Sequence, residues 1–121
     1  MTEVECRTVA VVDDDLAVRD SLRYLLEVIG YDVEIFASAA EFLQANVRDF
    51  ACLILDHHMP NMTGLELARR LRADGAVIPI LLTTGLPSPT IAADAVGLGI
   101  KVLDKPPSEE ALIDFIDATE L

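Results

Sequence analysis

Val9-Ala10-Val11-Val12-Asp13-Asp14-Asp15 sets four apolar residues, three of them β-branched, directly against three carboxylates. A run that is apolar at every residue, rather than at every second one, is the pattern of a strand covered on both faces, as in a parallel sheet flanked by helices. The period then changes. Val18, Leu22, Leu25, Leu26 and Ile29 fall on one face at helical spacing, and Gly30 can take the left-handed conformation that ends a helix. Val33 to Phe36 reads as a shorter, more alternating strand suited to a sheet edge. Ser38-Ala39-Ala40-Glu41 matches a capping box and predicts a second helix packing through Leu43 and Val47.

Phe50 to Leu55 is a third strand, again apolar throughout. Beyond a turn at Pro60-Asn61, a helix over Leu65 to Arg72 buries Leu67, Ala68 and Leu71, and Gly75 closes it. Ile78 to Thr83 predicts a fourth strand. Ser88-Pro89 is an N-cap followed by proline at the first helical position, opening a short helix to Val96. Ile100 to Leu103 is a fifth strand, and Ser108 caps a last helix whose positive end suits Glu109 and Glu110 and whose inner face carries Leu112, Phe115 and Ile116. Five strands, each followed by a helix, predict an α/β domain of (βα)5 type with a doubly wound parallel sheet and right-handed crossovers.

The bulk numbers agree with one unit over residues 1–121. At 121 residues and 52% hydrophobic, the chain suits one compact domain and leaves no room for a second. A formal net charge of −12 argues against any direct nucleic acid contact, which relies on clustered Lys and Arg. It leaves a divalent cation or a basic partner surface open. Cys6 and Cys52 form no metal or redox spacing and read as small core side chains. Met1 to Arg7 is too polar for a secretory signal, and no apolar run approaches membrane-spanning length, so a cytoplasmic protein is expected.

Ligands of open parallel sheets bind beyond the carboxyl ends of the strands. The first strand ends in Asp13-Asp14-Asp15, the third in Asp56, the fourth in Thr83-Thr84 and the fifth in Asp104-Lys105. Several carboxylates, a hydroxyl and an ammonium group are therefore expected at one rim. Carboxylates so close repel one another unless a cation compensates them. Mg²⁺ does so with oxygen ligands and keeps a place for a phosphate oxygen. A carboxylate is also a workable nucleophile for phosphoryl transfer, with Lys105 and the metal neutralising the equatorial oxygens and Thr84 donating to the third. Each piece alone has a plainer reading: an acidic run caps a helix, Thr84 is an ordinary strand residue, and Lys105-Pro106 is a charged turn. Their coincidence at matching strand ends is what favours a site.

On Val-Val-Asp-Asp at 11–14, Leu-Ile-Leu-Asp at 53–56, Met59-Pro60-x-Met62-x-Gly64, Pro79 through Thr84-Gly85, and Lys105-Pro106, the chain resembles the response-regulator receiver family of the CheY-like superfamily over nearly its whole length. The resemblance implies a flavodoxin-like strand order 2-1-3-4-5 and a cis peptide before Pro106. It implies that Asp56 is phosphorylated, that Asp14 ligates Mg²⁺ directly and Asp13 directly or through water, and that His58 offers the metal its backbone carbonyl. Thr84 becomes the switch hydroxyl and Lys105 the phosphoryl clamp. The wording around Met59 is similar to receivers of LuxR/FixJ-type regulators.

Three features depart from the family pattern. Val102 stands where receivers usually carry an aromatic that follows the Thr, the Gly85-Leu86-Pro87-Ser88-Pro89 stretch suggests an altered fourth helix, and Ile100 replaces a commonly small residue. Adjacent His57 and His58 cannot easily share one ion, so His58 is expected at the site rim, where it and Leu86 would govern water access to the aspartyl phosphate. The functional expectation is a two-component receiver charged by a sensor histidine kinase or phosphotransfer protein, with homodimerisation through the fourth helix, fifth strand and fifth helix as a further possibility. It would act alone or as part of a longer regulator. Two alternatives stand beside it: a degenerate receiver acting as an interaction module, and a phosphohydrolase using Asp56 as nucleophile, against which this chain has His58 where such enzymes usually place an acidic residue.

Overall fold

In the computed structural model, residues 8–119 are described. Five strands, β1 (Thr8–Val12), β2 (Asp32–Phe36), β3 (Cys52–Asp56), β4 (Ile80–Thr84) and β5 (Lys101–Asp104), alternate with five helices, α1 (Leu16–Ile29), α2 (Ala39–Leu43), α3 (Gly64–Ala73), α4 (Pro89–Leu98) and α5 (Glu109–Ala118). The strands form one parallel sheet in the order β2-β1-β3-β4-β5. The chain reverses its direction of travel across the sheet between β2 and β3, which makes the β1/β3 boundary the switch point.

Uniformly apolar strands are explained by two cores. Ala10, Val12, Leu53, Leu55, Ile80 and Leu82 face Phe42, Leu67 and Leu71 on one side. Val9, Val11, Cys52, Ile54 and Leu81 alternate with them and face Leu26, Leu112, Phe115 and Ile116 on the other. The edge strand β2 needs only one covered side, and its residues accordingly alternate in burial. Tyr31, just before β2, reaches across to donate its hydroxyl to Asp117 of α5 at 2.9 Å.

The structure departs from the sequence expectation at several boundaries. Val47 does not belong to α2, which stops at Leu43; it opens a 3₁₀ turn, Val47–Asp49, capped by the Asn46 side chain on the Arg48 N–H. A local side-chain acceptor draws the backbone out of the helix there, and the turn still lets Val47 and Phe50 pack on the same core. The fourth strand starts at Ile80 rather than Ile78, since the Ile78 carbonyl is taken by Arg72 Nη1. Nor is the fourth helix cut short: α4 runs ten residues, with Ser88 Oγ accepting from Ile91 N, Pro89 in the first turn and Gly99 left-handed at the end. The Lys105–Pro106 peptide is cis. Cys52 is fully buried, whereas Cys6 and the Met1–Arg7 stretch lie outside the described residues.

Gly64 sets the distance between α3 and the end of β3. A Cβ there would lie 2.6 Å from the Asp56 carbonyl oxygen, 2.6 Å from Leu82 Cδ1 and 2.9 Å from His57 Cα. Two of these are backbone atoms and cannot step aside cheaply. Gly64→Ala should therefore destabilise the protein by about 2 kcal/mol or more, as overpacking does. An unshifted urea midpoint would show that α3 is not seated by this contact.

Candidate functional site

The carboxyl ends of β1, β3, β4 and β5 meet at one rim, and four of the predicted groups converge there. Asp13 and Asp56 are almost completely buried, at 2% and 3% exposed, while Asp14 is open to solvent. Carboxylate oxygens of Asp13, Asp14 and Asp56 all lie within 4.8 Å of one another, a grouping able to hold a metal ion. Lys105 Nζ sits between the two buried acids, 3.0 Å from Asp13 Oδ2 and 3.2 Å from Asp56 Oδ1. Its own backbone N–H donates to Thr84 O at 2.9 Å, which ties the start of the β5–α5 loop to the end of β4.

Further contacts place the acids. Asp13 Oδ1 accepts from Asp15 N at 2.9 Å, and the Asp13 carbonyl accepts from Arg19 Nη1 at 2.8 Å. Asp56 Oδ1 accepts from His58 N at 3.4 Å, and the chain beyond β3 is held by His57 N donating to Thr83 O at 2.9 Å. The Asp15 carboxylate is engaged elsewhere, capping α1 by accepting from Ala17 N and Val18 N. The acidic run thus divides, with its first two members facing the site and the third serving the helix.

Burial and the Asp13 carboxylate push the Asp56 carboxyl above the ordinary carboxylate range, partly offset by Lys105 and the His58 N–H. Burial by itself would lower the Lys105 ammonium, but bonds and attraction to Asp13 and Asp56 outweigh it and hold it above its ordinary value. Two buried acids therefore face one ammonium, and the charge left over is negative.

Thr84 is fully buried, and its hydroxyl meets the imidazole of His58, Nε2 to Oγ1 at 2.9 Å, and accepts from Leu86 N at 3.1 Å. The His58 ring is therefore turned to Thr84 and not into the acidic cluster. Sequence reasoning missed this contact, because 26 residues separate the pair and no spacing rule links them. It also missed Arg19, which carries no motif, although a cation one turn into α1 facing the acidic run was there to be noticed. His57 turns the other way: its Nδ1 accepts from Leu65 N at 3.4 Å, and burial beside His58 lowers its basicity.

Comparison with known proteins bears on this rim. Residues 9–117 match the family described as response regulator receiver domain. The chain is 41% identical over 117 residues to the transcriptional regulatory protein FixJ of Azorhizobium caulinodans, covering 95% of this chain and 56% of that protein. It is 40% identical over 110 residues to the response regulator protein TodT of Pseudomonas putida, covering 89% and 48%. Among solved structures, FixJ-N superimposes with a TM-score of 0.84 at 32% identity, covering 97% of this chain and 95% of that one. The chemotaxis protein CheY4 of Vibrio cholerae gives 0.81 at 29%, covering 95% and 99%. The chain spans about half the length of the curated relatives it matches.

A raised carboxyl in the folded state makes a testable demand on stability. Such a group favours folding below its unfolded value, near pH ~4, and this contribution is lost as pH rises through the higher folded value. In metal-free protein, Asp56→Asn should be more stable than wild type at neutral pH, by about 1 kcal/mol. The gap should close as pH falls toward ~4. Urea titrations of both proteins across that range, in chelator, would decide it; an Asn variant less stable at pH ~7 would mean that the Lys105 bond outweighs burial.

Proposed function

This chain belongs to the response regulator receiver domain family of two-component signalling, and on that footing we propose that Asp56 is its phosphoacceptor. The observation that carries the reading is the seating of Lys105 between two buried carboxylates that share a metal-capable cluster with Asp14. Asp56 Oδ1 is engaged by Lys105 and by His58 N, which leaves Oδ2 to approach phosphorus. As the Oδ2–P bond forms, the P–N bond of a phosphohistidine donor breaks and the imidazole departs with the electron pair. Lys105 would take a phosphoryl oxygen, and the Thr84 hydroxyl, once turned to the site, would donate to another.

The donor set suits Mg²⁺: hard carboxylate oxygens, two of them buried with less positive charge than they need. Asp13, Asp14 and Asp56 would hold it, with the His58 backbone carbonyl as a further oxygen. When bound, Mg²⁺ supplies neutralisation of the negative charge on the transferring phosphoryl group.

The donor would be a sensor histidine kinase or a phosphotransfer protein, met in the cytoplasm. Among the described residues no helix is long and apolar enough to cross a membrane. Phosphorylation would shift a pre-existing equilibrium read by a partner or by a further domain of a longer regulator. A second copy docking on α4, β5 and α5 is one such partner, and Val96 of α4 is 80% exposed there. Nothing favours a phosphohydrolase, whose acid or base would have to be His58, a ring occupied with Thr84.

Incubation with acetyl phosphate and Mg²⁺ should give a single phosphoryl adduct by intact mass, absent with chelator and absent in Asp56→Asn. Lys105→Ala should slow its formation at least tenfold, roughly the loss of one well-placed charge on a phosphoryl oxygen. Wild type that stays unmodified would sink the proposal, and an adduct persisting in Asp56→Asn would move the acceptor elsewhere.

A further inference from the structure

The Thr84 hydroxyl has one proton to give and two lone pairs to offer. Leu86 N–H occupies one lone pair at 3.1 Å, and His58 Nε2 lies at 2.9 Å, within direct bonding distance. The hydroxyl is fully buried, at the end of a central strand, so its proton must find an acceptor inside the protein. His58 Nε2 is the acceptor within reach when the ring carries its hydrogen on Nδ1.

We propose that His58 is a latch on Thr84, a positioning residue that competes with the phosphoryl group for the Thr84 proton. The inference rests on the phosphoacceptor reading and deepens it. A Thr84 hydroxyl that donates to a phosphoryl oxygen on Asp56 cannot also donate to His58 Nε2. The two bonds exclude one another, so receiving phosphate releases His58. The same displacement pulls on Leu86 N, the first turn of the loop into α4, and so links the occupancy of Asp56 to that loop. Because His58 follows Asp56 by two residues and its N–H is bonded to Asp56 Oδ1, the latch and the acceptor are parts of one short segment.

A bond broken on activation weakens activation. Removing the latch should therefore make the site easier to fill, which is the opposite of what losing a supporting residue does. With Mg²⁺ present, beryllofluoride titration of the full chain, followed by NMR, should show His58→Ala half-saturating at a concentration on the order of fivefold lower, the effect of one neutral hydrogen bond on an equilibrium. In a Thr84→Val background, where there is no proton to compete for, His58→Ala should change nothing. In wild type, the ¹⁵N shift of His58 Nε2 should report an acceptor nitrogen and move when beryllofluoride binds.

An unaltered or weakened affinity in His58→Ala would overturn the latch, as would an equal gain with and without the Thr84 hydroxyl, which would assign His58 a purely steric role. An Nε2 shift indifferent to beryllofluoride would overturn it too. These outcomes are separate from failure of the underlying reading, in which wild type would not bind beryllofluoride with Mg²⁺ at all and both conclusions would fall together.

Discussion

Two carboxylates buried at the end of a parallel sheet, with a single ammonium between them, are the constraint on which the remaining structure depends. Lys105 reaches both Asp13 and Asp56. It can do so because β1, β3, β4 and β5 run parallel and finish level with one another. Folding alone does not favour such a site, since removing like charges from water is costly and one cation does not balance them. It is tolerable because the apolar sheet beneath it is buried on both faces and supplies stability that the rim does not.

The helices keep that rim open and in register. α1 is started by Asp15, immediately after the two site acids, so the helix leaves β1 without drawing Asp13 away from Lys105. α3 is started at Gly64, against the backbone of Asp56 and His57, where any side chain would collide. Arg72 binds the Leu98 carbonyl at the end of α4 and the Ala76 and Ile78 carbonyls ahead of β4, while Arg69 pairs with Asp94. The carboxyl end of α4 is thus fastened to α3, whereas its amino end follows a loop hung from the Thr84 hydroxyl.

Val102 gives that arrangement its particular character. It pairs with Leu82 across β4 and β5 and packs into the core shared with Ile91 and Leu98, as a compact β-branched residue with few rotamers. The side chain that meets the Thr84 hydroxyl is His58, which follows β3 on the other side of β4 and is exposed to solvent.

Most of this architecture was legible in the sequence, and for local reasons. Period-2 and period-3.6 hydrophobicity, the caps at Asp15, Ser38, Ser88 and Ser108, and the polar residue closing each strand are consequences of chain geometry within a few residues. They determined the five strands, the five helices and the convergence of Asp13, Asp14, Asp56 and Lys105, because parallel strands bring equivalent ends together. Strand order came from family resemblance instead, since periodicity does not say which strands are neighbours. Only the tertiary structure decided why Gly64 admits no side chain and where the His58 ring points. Those depend on atoms brought together from distant parts of the chain, and the direction of a side chain at a strand end is set by what fills the space beside it.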